Sequence, residues 1–471
     1  MSPGLRDEYD VAVIGAGPAG LAAASLCARA KLSTVLFDEQ AAPGGQIYRG
    51  ITQSPLADRS ILGADYWAGE KIAREFFASG VQYVPRATVW SVTAEREIGV
   101  STGGGSRLLQ AKHVIIATGA LERPFPIPGW TLPGVMTAGA AQTLLKSSGI
   151  VPDGRTVLAG SGPLLWLLAW QLLNAGATLD AILDTTSRES RARARTHLPS
   201  FLISPYLLKG LKLLRSVRKR VRVVSDVTQL EAKGDARVQS VAYATAAQGA
   251  PVGMPVDNLL LHQGVVPNVN LALSIGIEHR WDEEQLCFVP VLSPSGATSV
   301  PGIYIAGDGG GIAGAQAAAW RGVMSASDIV RAVNPEAARR AAKAARTTLE
   351  HFARGRKFLD AYYRPAPQFR VPAGDTLACR CEEVTARQVI ETVALGCPGP
   401  NQMKSFLRCG MGPCQGRLCG LTVTELIARE RGVSPQEVGY YRLRPPVKPI
   451  TVAELAELPK DDAAVKAVVR I

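Results

Sequence analysis

The stretch from residue 9 to residue 31 constrains the fold of this chain most. An apolar strand is predicted over residues 9–14 and an apolar helix over residues 21–31, and six residues of the form G-x-G-x-x-G join them. In that context the first glycine permits a tight turn, the second lets the backbone approach a pyrophosphate, and the third lets the helix pack on the strand. The motif therefore predicts a Rossmann-type dinucleotide site formed by Gly15, Gly17, Pro18, Ala19 and Gly20.

An acidic residue is expected at the end of the second strand, where it bonds the ribose hydroxyls of the nucleotide. The second strand is predicted over residues 34–37, and Asp38 and Glu39 follow it directly. Both stand at a suitable distance from Gly20. The sequence does not distinguish between these two acids.

Three later segments indicate which nucleotide binds. A Gly-Gly-Gln sequence follows the acids, a strand ends in Ala-Thr-Gly, and a late strand ends in Gly-Asp before another helix. Together with the first turn, they resemble the glutathione-reductase-like flavoproteins that have two dinucleotide-binding domains. The resemblance implies FAD, an aspartate bonded to the ribityl chain, and a helix whose positive end faces the flavin. The residues implicated are Gly45, Gln46, Ala117, Thr118, Gly119, Gly307, Asp308 and Ala315.

A second strand–turn–helix unit begins at Thr156. Its turn runs from Gly160 to Pro163, but Leu165 occupies the position of the third glycine, and only Asp184 follows as a ribose partner. A bulky side chain there would hold the helix off the strand or fill space that a cofactor uses. We therefore expect an eroded nicotinamide site. Binding of another nucleotide such as ATP, or of NAD(P)H itself, stays open.

The cysteines are concentrated near the C-terminus. Of the eight in the chain, six lie in the segment that begins at Cys379 and ends at Cys419. Short spacings of this kind indicate a metal centre rather than a disulfide framework. Four thiolates can hold a [2Fe–2S] cluster, and zinc is the main alternative, although zinc sites favour C-x-x-C spacing.

The segment around these cysteines resembles the bacterioferritin-associated-ferredoxin-like [2Fe–2S] domain. In that domain a C-x-C pair and a C-x-x-x-x-C pair lie a little over thirty residues apart, and here 32 residues separate Cys381 from Cys414. The alternative pairing through Cys409 leaves 27. The resemblance therefore implies Cys379, Cys381, Cys414 and Cys419 as metal ligands, and leaves Cys397 and Cys409 outside the site.

The net charge is +12, and the basic residues are unevenly distributed, with clusters around residues 188–195 and 209–222. No nucleic-acid-binding motif accompanies them, so a solvated basic face is expected, and no nucleic-acid partner. Residues 156–178 lack charge, but a Gly-Ser-Gly-Pro turn interrupts them early, so we predict a buried strand and helix and no membrane span.

The order of elements predicts an α/β protein of several units. Strands alternating with helices indicate parallel sheets in two Rossmann-like domains. An exposed helix is predicted over residues 334–360. The predicted units are a discontinuous FAD domain (1–124 and 262–332), a second dinucleotide domain (125–261), a helical linker (333–374), the [2Fe–2S] domain (375–432) and a Pro-rich tail (433–471).

Almost the whole chain resembles one family, the α or A subunits of hetero-oligomeric dye-linked amine dehydrogenases. Members include the opine oxidase A subunit, the α subunit of D-hydroxyproline dehydrogenase, and the large flavin subunit of hydrogen cyanide synthase. The resemblance rests on this order of units and on five segments, namely residues 38–40, 43–49, 119–124, 134–136 and 410–417.

The family resemblance implies an electron-carrying subunit of an oxidoreductase. A partner β subunit resembling D-amino-acid oxidase would oxidise an opine, D-hydroxyproline or a similar secondary amine, and a small ferredoxin-like subunit would complete the assembly. The location implied is cytoplasmic or peripheral at the inner membrane. Two alternatives remain open, a stand-alone NAD(P)H-dependent acceptor reductase and a non-catalytic iron-sensing or assembly protein. No catalytic acid or base is assigned.

Overall fold

The computed structural model describes residues 4–459. Residues 1–3 of the predicted FAD domain and residues 460–471 of the predicted tail lie outside the described residues. Within the described part of the chain, no helix is both long and apolar enough to cross a bilayer.

The strands alternate with helices along the first two thirds of the chain. In chain order they are β1 (Glu8–Ile14), β2 (Thr34–Asp38), β3 (Gln82–Pro85), β4 (Ala87–Val92), β5 (Glu97–Thr102), β6 (Gly105–Ile116), β7 (Ala120–Glu122), β8 (Val135–Thr137), β9 (Thr156–Ser161), β10 (Ala181–Asp184), β11 (Arg222–Val224), β12 (Val227–Lys233), β13 (Ser240–Thr245), β14 (Val252–Pro255), β15 (Asn258–Gln263), β16 (Val265–Pro267), β17 (His279–Asp282), β18 (Cys287–Pro290), β19 (Ile303–Ile305), β20 (Leu377–Cys379) and β21 (Val384–Thr385).

Two short 3₁₀ turns, Arg195–His197 and Gly307–Gly310, supplement the α-helices. The α-helices are α1 (Pro18–Arg29), α2 (Ala64–Trp67), α3 (Gly69–Phe77), α4 (Ala138–Ser148), α5 (Pro163–Asn174), α6 (Arg188–Ala194), α7 (Leu198–Leu202), α8 (Leu207–Arg218), α9 (Asn270–Ile275), α10 (Ala315–Val330), α11 (Pro335–Ala353), α12 (Arg356–Tyr362), α13 (Pro367–Arg370), α14 (Ala386–Ala394), α15 (Pro400–Leu407), α16 (Gly420–Arg431), α17 (Pro435–Val438) and α18 (Val452–Ala456).

The first sheet has seven strands in the order β3-β2-β1-β6-β5-β4, and β19 pairs with β6. Strands β1, β2, β3, β6 and β19 run parallel, whereas β4 and β5 form an antiparallel meander on β6. The carboxyl ends of β1, β2, β6 and β19 therefore meet at one edge of the sheet. The four predicted FAD motifs follow these four strands, so the fold brings them together.

The second sheet has five parallel strands in the order β11-β10-β9-β15-β8. Helix α5 is apolar almost throughout, and half of its residues are buried where it packs against this sheet. A separate three-stranded antiparallel sheet, β12-β13-β14, packs on the opposite face of the second sheet, in a different core from α5. The prediction of two Rossmann-like units in an α/β chain is confirmed.

The linker is helical, but the predicted helix over 334–360 is two helices. Helix α11 ends at Ala353, and Gly355 adopts a left-handed conformation with φ +77° before α12 begins. A Cβ on Gly355 would lie 2.6 Å from the Cβ of Ser204, so the chain passes close to the second unit there. Glycine at this point allows the break that an otherwise continuous helical composition does not predict.

The cysteine-rich unit has its own small core, built from β20, β21, α14, α15 and α16. Tyr441, from the predicted tail, is 1% exposed and belongs to this core. Six residues later, Val447 packs in the core of the first unit. The described part of the tail thus runs from the cysteine-rich unit to the first sheet. The predicted domain boundaries stay predictions.

Candidate functional site

A cavity of about 1560 Å³ lies at the carboxyl edge of the first sheet and extends to the second sheet. Of the residues predicted from sequence to hold FAD, Gly20 lies behind the turn, where an added Cβ would be 1.9 Å from the carbonyl oxygen of Gly15. The other predicted residues line the cavity: Gly15, Gly17, Pro18, Ala19, Asp38, Glu39, Gly45, Gln46, Ala117, Thr118, Gly119, Gly307, Asp308 and Ala315.

The glycine turn has the close approaches that its sequence predicts. Gly15 has φ +107°, and a Cβ there would lie 2.5 Å from the carbonyl oxygen of Ala117. A Cβ on Gly45 would lie 2.8 Å from the Cα of Gly17, so the second glycine segment packs directly on the first. Helix α1 begins at Pro18, whose missing N–H costs nothing in the first turn. A diphosphate at this turn would meet the N-terminus of α1.

The two candidate ribose acids have different surroundings. Asp38 is buried; its carboxylate accepts hydrogen bonds from the backbone N–H of Ala16 at 2.5 Å and of Gln40 at 2.7 Å. Burial raises its pKa, and the two amides oppose that effect. Glu39 is exposed, and Lys448 Nζ lies 2.7 Å from its Oε1. Asp38 thus braces the glycine turn, whereas the Glu39 carboxylate is held at the cavity surface.

Asp308 lies where the late motif meets helix α10. Its Oδ1 accepts hydrogen bonds from the backbone N–H of Ala313 at 2.8 Å and of Gly314 at 3.1 Å. Gly314, at φ +96°, directly precedes α10, a helix of 16 residues whose first residue lines the cavity. The positive end of that helix and the Asp308 carboxylate therefore border the same space.

Sequence reasoning missed Lys146, a buried lysine in the cavity lining. Its Nζ donates to the carbonyl oxygens of Gln46 at 3.1 Å and Ile47 at 2.9 Å, and to Gln142 Oε1 at 2.9 Å. Burial, with a smaller contribution from Arg49, lowers the pKa of Lys146 to about 7. The lysine joins α4 to the Gly-Gly-Gln loop, and no local pattern marks it in the sequence.

The second glycine turn faces the same cavity, but its surroundings differ from those of the first. A Cβ on Gly160 would lie 1.6 Å from the carbonyl oxygen of His262, and one on Gly162 would lie 3.1 Å from His262 Nε2. His262 Nδ1 lies 2.5 Å from Glu122 Oε1. Leu165 is fully buried in the core beneath the turn.

Asp184, the predicted ribose partner of the second turn, is directed elsewhere. It is buried, its Oδ1 accepts a hydrogen bond from the N–H of Thr186 at 2.9 Å, and it is outside the lining formed by the described residues. Burial raises its pKa. The eroded nicotinamide site expected at this second turn stays a prediction, and binding of another nucleotide there stays open.

The structure brings five cysteines together. The sulfur atoms of Cys379, Cys409 and Cys419 are buried and lie within 4.8 Å of one another. Cys381 and Cys414 form a more exposed pair beside them, and Cys414 also contacts Cys419. Of the predicted ligands, all four are in this group, and Cys409, which was predicted to lie outside the site, is there as well.

The sulfurs of the group hydrogen-bond to one another and accept backbone hydrogen bonds. Hydrogen bonds from Cys409 and Cys419 lower the pKa of Cys379 to about 2, and the backbone N–H of Gly410 contributes. A hydrogen bond from Cys419 lowers the pKa of Cys414 to about 5. Thiolates are therefore favoured at Cys379 and Cys414, and the thiolate is the form that binds metals.

The surroundings of the sulfurs fit a thiolate-bound metal centre. A Cβ on Gly412 would lie 2.4 Å from the Cβ of Cys381, so the loop approaches as closely as glycine allows. Gly410 and Gly416 pack on the ring of Tyr441, whose hydroxyl lies 3.7 Å from Cys419 Sγ. An all-sulfur donor set suits both an iron–sulfur cluster and zinc. Cys397 is apart from the group, with its Sγ 3.4 Å from the carbonyl oxygen of Gly399.

The cysteine loop is connected to the large cavity. Asn270, which lines the cavity, donates from Nδ2 to the carbonyl oxygen of Gln415 at 3.0 Å. Arg417 lies between Cys414 and Cys419 and also lines the cavity. A centre held by these cysteines would therefore be adjacent to whatever occupies the cavity.

Two family models match this chain. The pyridine nucleotide-disulphide oxidoreductase family matches residues 9–322, and the sarcosine oxidase A3 domain matches residues 376–458. The first match covers both Rossmann-like units. The second covers the cysteine-rich unit and the described tail as one domain.

Several curated proteins resemble the chain along almost its full length. It is 48% identical to the opine oxidase A subunit of Agrobacterium tumefaciens (strain Ach5), covering 98% of this chain and 94% of that protein. It is 32% identical to the HcnB subunit of hydrogen cyanide synthase from Pseudomonas aeruginosa, covering 95% of this chain and 98% of that protein. The alpha subunit of sarcosine oxidase from Rhizobium meliloti is 26% identical, and the match covers 95% of this chain and 42% of that protein.

The fold also matches solved structures. L-proline dehydrogenase from P. horikoshii superposes with a TM-score of 0.68 at 18% identity, covering 95% of this chain and 79% of that chain. The family resemblance predicted from sequence is thus confirmed, and the stand-alone reductase alternative is not favoured. The chain belongs to the family of opine oxidase A subunits, and it is an FAD-dependent oxidoreductase subunit of a hetero-oligomeric flavin dehydrogenase.

Proposed function

We propose that this chain is the electron-transfer subunit of a dehydrogenase or oxidase for opines, D-hydroxyproline or similar secondary amines. FAD would lie in the first site, with its diphosphate at the glycine turn and its ribityl chain at Asp308. A [2Fe–2S] cluster would lie on Cys379, Cys381, Cys414 and Cys419. The observation that carries the proposal is the contact of the cysteine loop with the flavin cavity through Asn270 and Arg417.

The two cofactors would supply complementary redox chemistry, since a flavin accepts electron pairs and an iron–sulfur cluster carries single electrons. The protein's own residues hold and shield them. Asp38 braces the turn, Lys146 fixes the Gly-Gly-Gln loop, and α10 offers its positive end to the cavity. We assign oxidation of the amine to a partner, as the family resemblance implies. In this chain's own cavity, His262 is bonded to Glu122 and faces the second glycine turn.

An exposed apolar surface borders the cavity and suits a partner protein. Leu202, Ile203, Leu208 and Leu211 of α7, α8 and their connection are between 55% and 78% exposed, and Leu211 lines the cavity. We call these four residues the mouth surface. Exposed patches of large apolar side chains mark interaction sites. A D-amino-acid-oxidase-like β subunit docked here would deliver electrons at the cavity opening, and a small ferredoxin-like subunit would complete the assembly.

The test compares the purified chain with the complex formed by co-expression with its genomic neighbour. The chain alone should retain FAD and iron but show negligible dye reduction with opines, proline derivatives or glycine. The complex should reduce dye with one of these amines. Substantial turnover by the single chain would contradict the proposal.

A matched pair of variants tests the mouth surface in the same assay. Leu208→Asp should abolish co-purification of the partner and leave FAD content unchanged. Leu395→Asp alters a residue of similar exposure, 77%, in the cysteine-rich unit and should leave the complex intact. Equal effects of the two substitutions would remove the mouth surface from the interface.

A further inference from the structure

The described tail returns to the first sheet beside the cavity. The N–H of Val447 donates to the carbonyl oxygen of Trp90 at 2.9 Å, within strand β4. Val447 is 5% exposed and packs in the same core as Val89 and Leu271. All three apolar residues also line the cavity. The tail is therefore a fixed part of the cavity wall rather than a free extension.

Arg417 joins this tail to the cysteine loop. Its guanidinium donates from Nη1 to the carbonyl oxygen of Val447 at 2.8 Å. Arg417 lies within the C-x-x-x-x-C segment and lines the cavity. The C-terminal part of the chain thus contributes two cavity residues in contact with each other, Arg417 and Val447. We call Arg417, Val447 and Lys448 the tail wall.

Lys448 brings a positive charge to the end of strand β2. Its Nζ lies 2.7 Å from Oε1 and 2.9 Å from Oε2 of Glu39, and both residues line the cavity. The two side chains are 30% and 41% exposed, so the pair lies at the cavity surface and not in the core. A lysine with this placement holds the Glu39 carboxylate in one orientation.

The position of the tail wall identifies the part of the nucleotide that it would contact. In Rossmann-type sites the ribose of the adenosine half bonds the acid at the carboxyl end of the second strand, and the diphosphate lies at the glycine turn. Glu39 directly follows β2, so the adenosine half would lie against Glu39 and the residues beside it.

We propose that the tail wall completes the binding site for the adenosine diphosphate half of the cofactor. Lys448 is its charged contact: it orients Glu39 toward the ribose and adds positive charge near an anionic ligand. The C-terminal part of the chain is thereby part of the flavin site as well as the holder of a metal centre. This inference rests on the proposed function, in which FAD occupies the first site.

The test measures binding of FAD and of ADP to the full-length chain after its nucleotide has been removed. Lys448→Ala should weaken both ligands by up to about fivefold, the upper end of the range for losing a partly exposed charged contact. Lys448→Glu should weaken both further, and Lys448→Arg should stay close to the wild type. ADP isolates the adenosine half, so similar factors for ADP and FAD place the effect there.

Lys112→Ala is the matched control. Lys112 forms an ion pair of 2.8 Å with Asp10 in the same sheet, and neither residue is in the cavity lining. Its removal should leave both affinities unchanged. Wild-type affinities in Lys448→Glu, or an equal loss of affinity in Lys112→Ala, would contradict the proposal that the tail wall contributes to nucleotide binding. A wild-type chain that binds ADP but not FAD would overturn the proposed flavin function, and weaker ADP binding in Lys448→Glu would then still support the tail wall.

Discussion

At the scale of single residues, the choice of metal ligands turns on Cys409 and Cys414. The C-x-x-x-x-C spacing fits both Cys409–Cys414 and Cys414–Cys419, and the fold brings all three sulfurs into one group. Cys409 contacts Cys379 and Cys419 in the buried part, whereas Cys414 also contacts Cys381. A ligand set of Cys379, Cys381, Cys414 and Cys419 takes two sulfurs from the buried part of the group and two from the more exposed pair.

Serine substitutions separate the two registers. Cys414→Ser should abolish the [2Fe–2S] EPR signal of the reduced protein, because serine replaces one of four thiolate ligands. Cys409→Ser should leave the signal nearly intact. Cys397→Ser is the control, since Cys397 is outside the group. Loss of the signal in Cys409→Ser but not in Cys419→Ser would show that Cys409, and not Cys419, is the ligand paired with Cys414. Purified protein that contains zinc and no iron would show that the centre is a zinc site and not a [2Fe–2S] cluster.

The limits of sequence reasoning at this scale follow from the distances involved. The glycine turn and the Gly-Asp motif are local patterns, and the cavity lining contains the residues that they predict, apart from Gly20 behind the turn. Lys448 and Glu39 are 409 positions apart, so their ion pair leaves no pattern in either segment. For the same reason the sequence left Asp38 and Glu39 equivalent, although one braces a turn and the other faces Lys448.

At the scale of elements, helix α4 is attached to the Gly-Gly-Gln loop by Lys146. An ordinary lysine pKa is 10.5, and burial lowers that of Lys146 to about 7. Between these values the unfolded chain binds a proton that the folded chain has lost, so Lys146 makes stability rise with pH. Below pH 7 the folded chain carries the full cost of the buried charge.

Lys146→Met should remove this contribution. The free energy of unfolding of the wild type relative to Lys146→Met should increase between pH 7 and pH 9, by at most about 1.4 kcal/mol per pH unit. Denaturant unfolding at several pH values measures the difference, with Lys112→Met as the exposed control. A difference that stays constant across this range would show that Lys146 keeps its charge when folded.

The bounds of the first strand followed its apolar run to within one residue, whereas helix boundaries were less predictable. The first strand, predicted over 9–14, is Glu8–Ile14. Helix α1 begins at Pro18, three residues before the predicted start, because proline suits the first turn. The break at Gly355 escaped prediction because it depends on the close passage of Ser204.

At the scale of the whole molecule, one buried carboxylate connects three parts of the chain. Glu425 of α16 pairs with Arg370 of the linker. Its Oε1 also lies 3.9 Å from Nη1 of Arg123, which follows strand β7 in the first segment of the predicted FAD domain. Arg123 also donates to the carbonyl oxygens of Leu286 and Gln285. All three charged side chains are at most 11% exposed. This cluster fixes the cysteine-rich unit against the flavin unit, and hence the cysteines against the cavity.

Glu425→Ala should therefore destabilise the whole protein and not the cysteine-rich unit alone. Burial, with the nearby Arg123, lowers the pKa of Arg370 to about 9, and removing the Glu425 carboxylate leaves two buried guanidinium groups without this counter-charge. Breaking a buried ion pair in this way costs about 3–5 kcal/mol. Glu336→Ala, which removes an ion pair whose partners are 83% and 78% exposed, should cost less than about 1 kcal/mol.

Denaturant unfolding, followed at the flavin band and by iron release, should show both cofactors lost in one transition at a lower midpoint in Glu425→Ala. A variant that releases iron early while the flavin transition stays at the wild-type midpoint would mean that the two units are stabilised independently, and that this cluster does not couple them.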